Sequence, residues 1–327
     1  MKQTLLFTSI LFSVFALHAQ DPVFSQSRIN LQQVNPAFAG SWACGRAEVN
    51  YRNQWPKLSS NYRTFTAAYD QYTRYGGFGF NYMHDNAGGI LFTDRADLSY
   101  AAYIPLWVQK DSTKPDFGKG KMVIQLGIQV GYLSKRVDWD KLSFGDMIDP
   151  RRGFIYSTTE VPSATRRSNI DFSAGLLVYS KYVAGGFSVF HITEPDEGFF
   201  GPSKLPMRFV GHLSGMIGSD DPEKQTLRVL PSVIYMKQSD FERLDMTLTA
   251  AYTGKHSSYS LGAGIRLNDA LLFSAGYQHG YMTVGYCYDL TISGLSGMTG
   301  GAHEFHLAYS FFNTKWSDKR RNLQLFN

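Results

Sequence analysis

The sequence predicts an all-β protein, a closed antiparallel outer-membrane β-barrel of about fourteen strands. Three observations carry this. Apolar and polar or small residues alternate in short segments along most of the chain. Gly, Asn, Asp and Pro separate those segments, and an N-terminal export signal precedes them. Successive strand side chains point to opposite faces, so each such segment has one apolar and one polar face. In Tyr259 to Leu267, Tyr259, Leu261, Ala263, Ile265 and Leu267 share one face; Ser260, Gly262, Gly264 and Arg266 share the other.

Residues 1–20 read as a cleaved signal peptide. Met1-Lys2-Gln3-Thr4 is followed by an apolar run from Leu5 to Leu17 and by His18-Ala19-Gln20. The run is too short for a transmembrane helix and has no positive stop-transfer flank. No Cys follows the expected cleavage point after Ala19 or Gln20, which argues against a lipid anchor. Beyond Asp21 no stretch is long and apolar enough to span a bilayer as a helix.

Composition agrees. Of 327 residues 43% are hydrophobic and 15% aromatic, with 20 Tyr and 24 Phe, types suited to strands and membrane interfaces. A mean hydropathy of −0.23 is low for a helical membrane protein. It suits a barrel, where half of each strand faces a polar lumen. The net charge of +5 is modest, and an exported chain gives no reason to expect nucleic acid. The two cysteines, Cys44 and Cys287, exclude a disulfide scaffold and a four-cysteine zinc site; whether they pair is left open.

The organisation follows in order. Residues 21–45 are polar and turn-rich and read as an ordered periplasmic lead-in. Strands are expected at Arg46 to Gln54, Tyr62 to Tyr72, Gly76 to Asp85, Leu91 to Val108 and Lys121 to Leu133. The next group is Ser168 to Tyr179, Tyr182 to Ile192, Met207 to Ile217, Leu227 to Met236 and Arg243 to Thr253. The last are Ser257 to Leu267, Ala270 to His279, Tyr281 to Ile292 and Ala302 to Phe312. The barrel thus occupies 46–312, and 313–327 form a basic periplasmic tail. The count is even, as bacterial single-chain barrels require. The apolar sets should face lipid and the polar sets the lumen, with inner-face glycines leaving room for filling side chains. If both termini are periplasmic, short links fall inside at 73–75, 180–181, 254–256 and 280. Long ones then fall outside at 134–167, 193–206 and 293–301. A long inner link at 109–120 and a tight outer one at Asn268-Asp269 break this pattern. A propeller would show repeats, and none occur.

Enzyme chemistry finds little support. G-x-S-x-G, P-loop and H-E-x-x-H patterns are missing from the sequence. His84-Asp85, His191 with Glu194, His279, and His303-Glu304 with His306 are read as interfacial or loop residues. His303 and His306 fall on opposite strand faces, against a shared metal. Asp138, Asp140, Asp146 and Asp149 do not follow EF-hand spacing and read as a solvated or self-paired loop. No cofactor, metal or catalytic residue is expected.

Several stretches carry a resemblance. Gln20-Asp21-Pro22-Val23-Phe24-Ser25-Gln26 is followed by Asn35-Pro36-Ala37-Phe38-Ala39-Gly40 and Tyr51-Arg52-Asn53-Gln54-Trp55-Pro56. Further on come Leu142 to Asp149, the run Phe172 to Pro195 with His191, and Leu205-Pro206-Met207-Arg208. The order resembles the PorP/SprF family of type IX secretion system membrane proteins of Bacteroidota. The resemblance implies an outer-membrane component that binds, helps export or anchors a large secreted surface protein, adhesin-like, with a C-terminal sorting domain. It also implies contact with the secretion machinery, including its periplasmic ring components. Asn35, Pro36, Gly40, Arg52, Trp55, Pro56, Asp146, His191 and Pro195 are the motif residues and candidate partner contacts. The alternative function is a passive or hydrophobic-solute outer-membrane channel.

Each motif residue also has a physical expectation. Asn35-Pro36 suits an extended residue before a fixed-φ proline, and Gly40 suits a turn with φ > 0. Arg52 should face inward, because Arg on the lipid face costs about 2–4 kcal/mol at the midplane. Trp55 should anchor at the interface. The lead-in is expected to fold against or into the periplasmic mouth and occlude the lumen.

Overall fold

The computed structural model describes residues 21–26, 30–42, 44–73, 75–106, 122–161, 163–218, 226–254, 257–294 and 296–311. The expected signal peptide, the 109–120 link and the expected basic tail lie outside the described residues.

Fourteen antiparallel strands close into a barrel. They are β1 (Gly45–Gln54), β2 (Tyr62–Thr73), β3 (Gly76–Ala87), β4 (Leu91–Leu106) and β5 (Met122–Val137). Then come β6 (Arg166–Tyr179), β7 (Val183–Phe190), β8 (Arg208–Gly215, resuming at Ile217–Gly218), β9 (Thr226–Gln238) and β10 (Phe241–Thr253). The last are β11 (Ser257–Arg266), β12 (Ala270–His279), β13 (Met282–Thr291) and β14 (Ala302–Phe311). Each pairs with its sequence neighbours, and β1 pairs with β14 from Gly45↔Phe311 to Gln54↔Ala302. The closed ladder leaves no edge to template association. All fourteen expected strands are present, with ends shifted by a few residues.

Alternation sets the faces. Leu126, Ile128, Val130 and Tyr132 of β5 are exposed, as are Phe305, Leu307, Tyr309 and Phe311 of β14. Gln125, Gln129, Glu304 and His306 between them are buried inside. An apolar belt against hydrocarbon with polar groups turned inward is the arrangement a lipid-spanning barrel needs.

Connections sort by end. β1 ends and β2 begins at one end, which also carries 138–165, 191–207 and 292–301. This is the loop-side end; the other is the short-turn end. The longest loop is structured by two 3-10 turns (Trp139–Lys141 and Gly145–Met147) and a small hairpin pairing Ile148 with Phe154.

Candidate functional site

The residues singled out in the sequence converge mainly on the lead-in. A short helix, α1 (Leu31–Val34), is followed by the 3-10 turn Pro36–Phe38. Asn35 between them is extended (φ −158°), as a residue before proline prefers, and Pro36 opens the turn where no N–H is needed. The Asn35 Oδ1 accepts the Ala37 N–H at 2.9 Å, capping the turn. Its Nδ2 donates to the Leu176 carbonyl at 3.0 Å and to His212 Nε2 at 3.1 Å. The acceptor role fixes His212 as the neutral tautomer with its proton on Nδ1. Asn35, Ala37 and Ala39 have no exposed surface. Gly40 has φ +66°, and its backbone passes so close to Gly77 that a side chain would meet the Gly77 Cα at 2.6 Å.

The wall is shaped to receive this segment. A Cβ on Gly77 would strike the Ala39 carbonyl, one on Gly127 the Ala37 backbone, and one on Gly175 the Asn35 side chain. Inner-face glycines leave room here for another stretch of backbone as well as for side chains. Ser188 Oγ donates to the Val34 carbonyl at 2.7 Å, and Tyr103 Oη to the Ala39 carbonyl at 3.0 Å.

Toward the loop-side end, charged groups hold the lead-in. Ser25 N–H donates to Glu304 at 2.8 Å, and the Phe24 carbonyl accepts from Arg243 at 3.1 Å. Ser25 Oγ donates to Asp289 at 2.6 Å and accepts from Arg52 at 3.0 Å and Arg266 at 2.5 Å. Arg52 faces inward as expected and also pairs with Glu304. Asp21 bridges His191 Nε2 at 2.7 Å and Arg208 at 2.9 Å, while His191 Nδ1 meets Asp171 at 2.8 Å. Burial pushes His191 down, but the Asp21 and Asp171 carboxylates outweigh it and raise its pKa. Burial likewise pushes Asp21 up, and His191 and Arg208 outweigh it, holding this carboxyl below the usual range.

Two readings of the histidines are corrected. His191 and His306 are neither loop-surface nor interfacial: their exposures are 1% and 3%. His306 bonds to Asn50, its register partner on β1, on the inner face. His84, His279 and His303 do lie on the outer face or rim. The sequence reading passed over His212, and also the inward charges Arg95, Asp97, Arg243, Asp245 and Asp289. Charges two apart within an apolar alternation, as in Arg95–Asp97 and Arg243–Asp245, were the available signal. His191 sits between two carboxylates with no hydroxyl or thiol bonded to it among the described residues, so a nucleophile–base pair does not form there. Cys44 and Cys287 are separate, buried thiols.

The remaining motif residues lie at the loop-side rim. Trp55 has φ +59°, donates its N–H to the Gly301 carbonyl at 2.8 Å and packs edge-on against Tyr62 at 5.4 Å. Pro56 follows in the same turn. Pro195 is buried, and its carbonyl accepts from Leu205 N–H at 2.9 Å. Asp146 is exposed and its bonds stay within its own loop: Thr159 N–H at 2.7 Å and the Thr158 and Thr159 hydroxyls. The Thr159 N–H chiefly lowers its pKa. Asp149 similarly accepts from Arg151 and Arg152 N–H, so the acidic loop is self-paired.

Above the arginine–carboxylate layer a vestibule of about 530 Å³ opens at the loop-side end. It continues past Lys135 and Glu197 into a groove between 139–142 and 198–206 walled by Trp139 and Phe200. Trp139, Phe144 and Phe200 pack together with centroids 5.1 to 6.2 Å apart.

The sequence model described as "Type IX secretion system membrane protein PorP/SprF" matches residues 16–309. The chain belongs to the PorP/SprF family. As a PorP/SprF protein with a closed, lipid-facing barrel, it is a type IX secretion component of the outer membrane. No curated protein matches. Solved structures similar to it include a CymD monoaromatic hydrocarbon channel, with 9% identity over 89% of this chain and 94% of that one, at a TM-score of 0.45. A Pseudomonas aeruginosa FadL homologue is 10% identical over 88% and 94%, TM-score 0.44. The Acinetobacter baumannii outer membrane protein Omp33 is 5% identical over 82% and 98%, TM-score 0.42.

Proposed function

We propose that this PorP/SprF barrel is an anchoring component: it holds a large exported surface protein at the loop-side mouth, and its lead-in closes the lumen. The observation that carries the reading is the lead-in's bonding to opposite walls, through Asn35 to β6 and β8 and through Ser25 to β1, β11, β13 and β14. A lumen occupied in this way has no room for a polypeptide in transit, so the partner is met by loops. The loop-side end faces outward in this reading. Its longest loop exposes Phe154, Tyr156 and Val161, the last at 80%, beyond the strands and so beyond lipid. Apolar groups displayed there suit a protein partner. That partner is an adhesin-like protein with a C-terminal sorting domain, and the periplasmic ring components meet the short-turn end. Outer-membrane lipid surrounds the belt.

The test is made in the source bacterium. Deleting the gene should remove one protein with a C-terminal sorting domain from the cell surface, and the wild-type gene should restore it. A Phe154→Asp/Val161→Asp double variant, made at normal barrel levels, should not. Unchanged surface display of every such protein would overturn the proposal.

A further inference from the structure

The lipid-facing surface is unevenly charged at its loop-side rim. Arg136 of β5 and Arg166 of β6 are register partners, and both are exposed on the outer face. Beneath them run two apolar columns, Tyr132, Val130 and Ile128 on β5 and Ile170 and Phe172 on β6, all exposed. Between the cations and these columns lies one row of hydroxyls, Ser134 opposite Ser168. A lipid standing against the two strands therefore meets hydrocarbon, then hydroxyls, then two guanidinium groups.

Both arginines are held in place without being neutralised. Arg166 donates through Nε to Ser134 Oγ at 2.8 Å, and Arg136 lies over the Phe92 ring, 4.7 Å from its centroid. Such contacts orient a guanidinium and leave its charge. Among the described residues neither arginine forms a salt bridge. Asp94, on the register row of Ser134, adds an attraction to Arg166, but its bonds go to His84 Nδ1 at 2.7 Å and Tyr82 Oη at 2.8 Å. Asp138 is taken by Lys141 at 2.8 Å. Like charges directly opposite each other in a ladder repel, so the pair has use for a bridging anion. The far side of the rim differs: Lys237 is paired with Glu242 at 2.6 Å, and Leu267 and Leu290 are exposed there.

We propose that Arg136 and Arg166 form a headgroup site for a lipid that carries a phosphomonoester, its acyl chains lying on the apolar columns of β5 and β6. Charge sets the class. A phosphomonoester carries a charge of about −1.5 to −2 and three acceptor oxygens, enough to meet two guanidinium forks. A diester headgroup offers one charge and two free oxygens. Position sets the source. The cations crown lipid-facing strands, where a headgroup is tethered by its chains and free phosphate is not. The site stands whether or not the loops above it hold a protein partner.

The experiment is native mass spectrometry of the folded mature protein in detergent, titrated with monophosphoryl lipid A or with the same lipid freed of its phosphate. Wild type should prefer the phosphorylated lipid about 30-fold, equal to about 2 kcal/mol, the scale of two arginines at an anionic membrane surface. The Arg136→Gln/Arg166→Gln double variant should abolish the preference, and Lys237→Gln on the far side should keep it. Heat-modifiable gel migration confirms that each barrel is folded. Arg166→Gln alone, the milder variant, should lower the preference about fivefold. Inorganic phosphate in excess should leave the lipid bound. Equal binding of the two lipids by wild type, or a preference that survives in the folded variants, overturns the site. Loss of the preference in Lys237→Gln makes it an effect of overall charge and overturns the site too. Displacement by inorganic phosphate assigns the pair to the free anion and overturns the lipid.

Discussion

Replacing Asn35 by Ala should unseat the lead-in while leaving the barrel standing. The side chain caps the Pro36 turn through the Ala37 N–H and ties it to Leu176 and His212 on the wall, with no surface exposed. Truncation orphans two buried groups, the Ala37 N–H and His212 Nε2, at about 1–3 kcal/mol each. The loss of docking is therefore about 2–6 kcal/mol, an increase of at least about 30-fold in the displaced fraction. The strand ladder does not use this side chain, so heat-modifiable migration should be unchanged. Hydrogen exchange across 30–42 should accelerate by that factor, and planar-bilayer recordings should show openings that wild type lacks. A folded Asn35→Ala barrel with wild-type exchange in 30–42 would refute the claim that these bonds hold the segment.

Four further outcomes are expected. Gly127→Val places a side chain against the Ala37 backbone; overpacking of about 1–3 kcal/mol should mimic Asn35→Ala in exchange and conductance. Arg52→Ala leaves Glu304 and Asp289 facing each other without their shared cation, and the stability measured by urea unfolding in lipid should fall by about 3–5 kcal/mol. The clasp at Asp21 should depend on pH at both ends. Because the His191 pKa is raised, its contribution is complete below the usual value of about 6.5 and fades as pH climbs through the raised one. Because the Asp21 pKa is lowered, its contribution is complete above about 3.9 and fades as pH falls through the lowered one. With Arg95, Arg208, Asp97 and Asp171 around the clasp, exchange at Val23 and Phe24 should therefore be slowest between these limits, and His191→Gln should abolish the alkaline arm. Asp146→Ala should loosen the outer loop, seen as faster protease cleavage near Thr158 with the barrel's unfolding midpoint unmoved.

The strands were legible because their signal is local. A period of two needs only five or six residues, and β12 was placed at its observed ends. Boundaries drifted where a strand continues past its apolar alternation, as β5 does through Ser134 to Val137. The occupant of the lumen was legible only in part. Inner-face glycines announced that something fits there, and Asn35-Pro36 and Gly40 announced a fixed turn. Their meeting could not be read, since Asn35 and His212 are 177 positions apart and neither sequence context names the other. His191, just past the end of β7, escapes the sequence for the same reason, whereas His306 is mid-strand in β14 and alternation with Phe305 and Leu307 already turns it inward. An isolated histidine at a strand end, like His191, resembles an interfacial one until distant carboxylates are found beside it.

The contact between Ser25 and Glu304 also bears on assembly, for it joins positions 279 apart. Glu304 belongs to the final strand, and the same carboxylate reaches Arg52 on the first. With the seam unzipped, residue 25 can still reach Arg266, Asp289 and Glu304 on β11, β13 and β14; closing the seam adds Arg52 of β1 and completes the clamp. Such long-range contacts defer their reward until nearly the whole chain is in place. The segment ahead of β1 is therefore fully clamped only when the last strand has met the first.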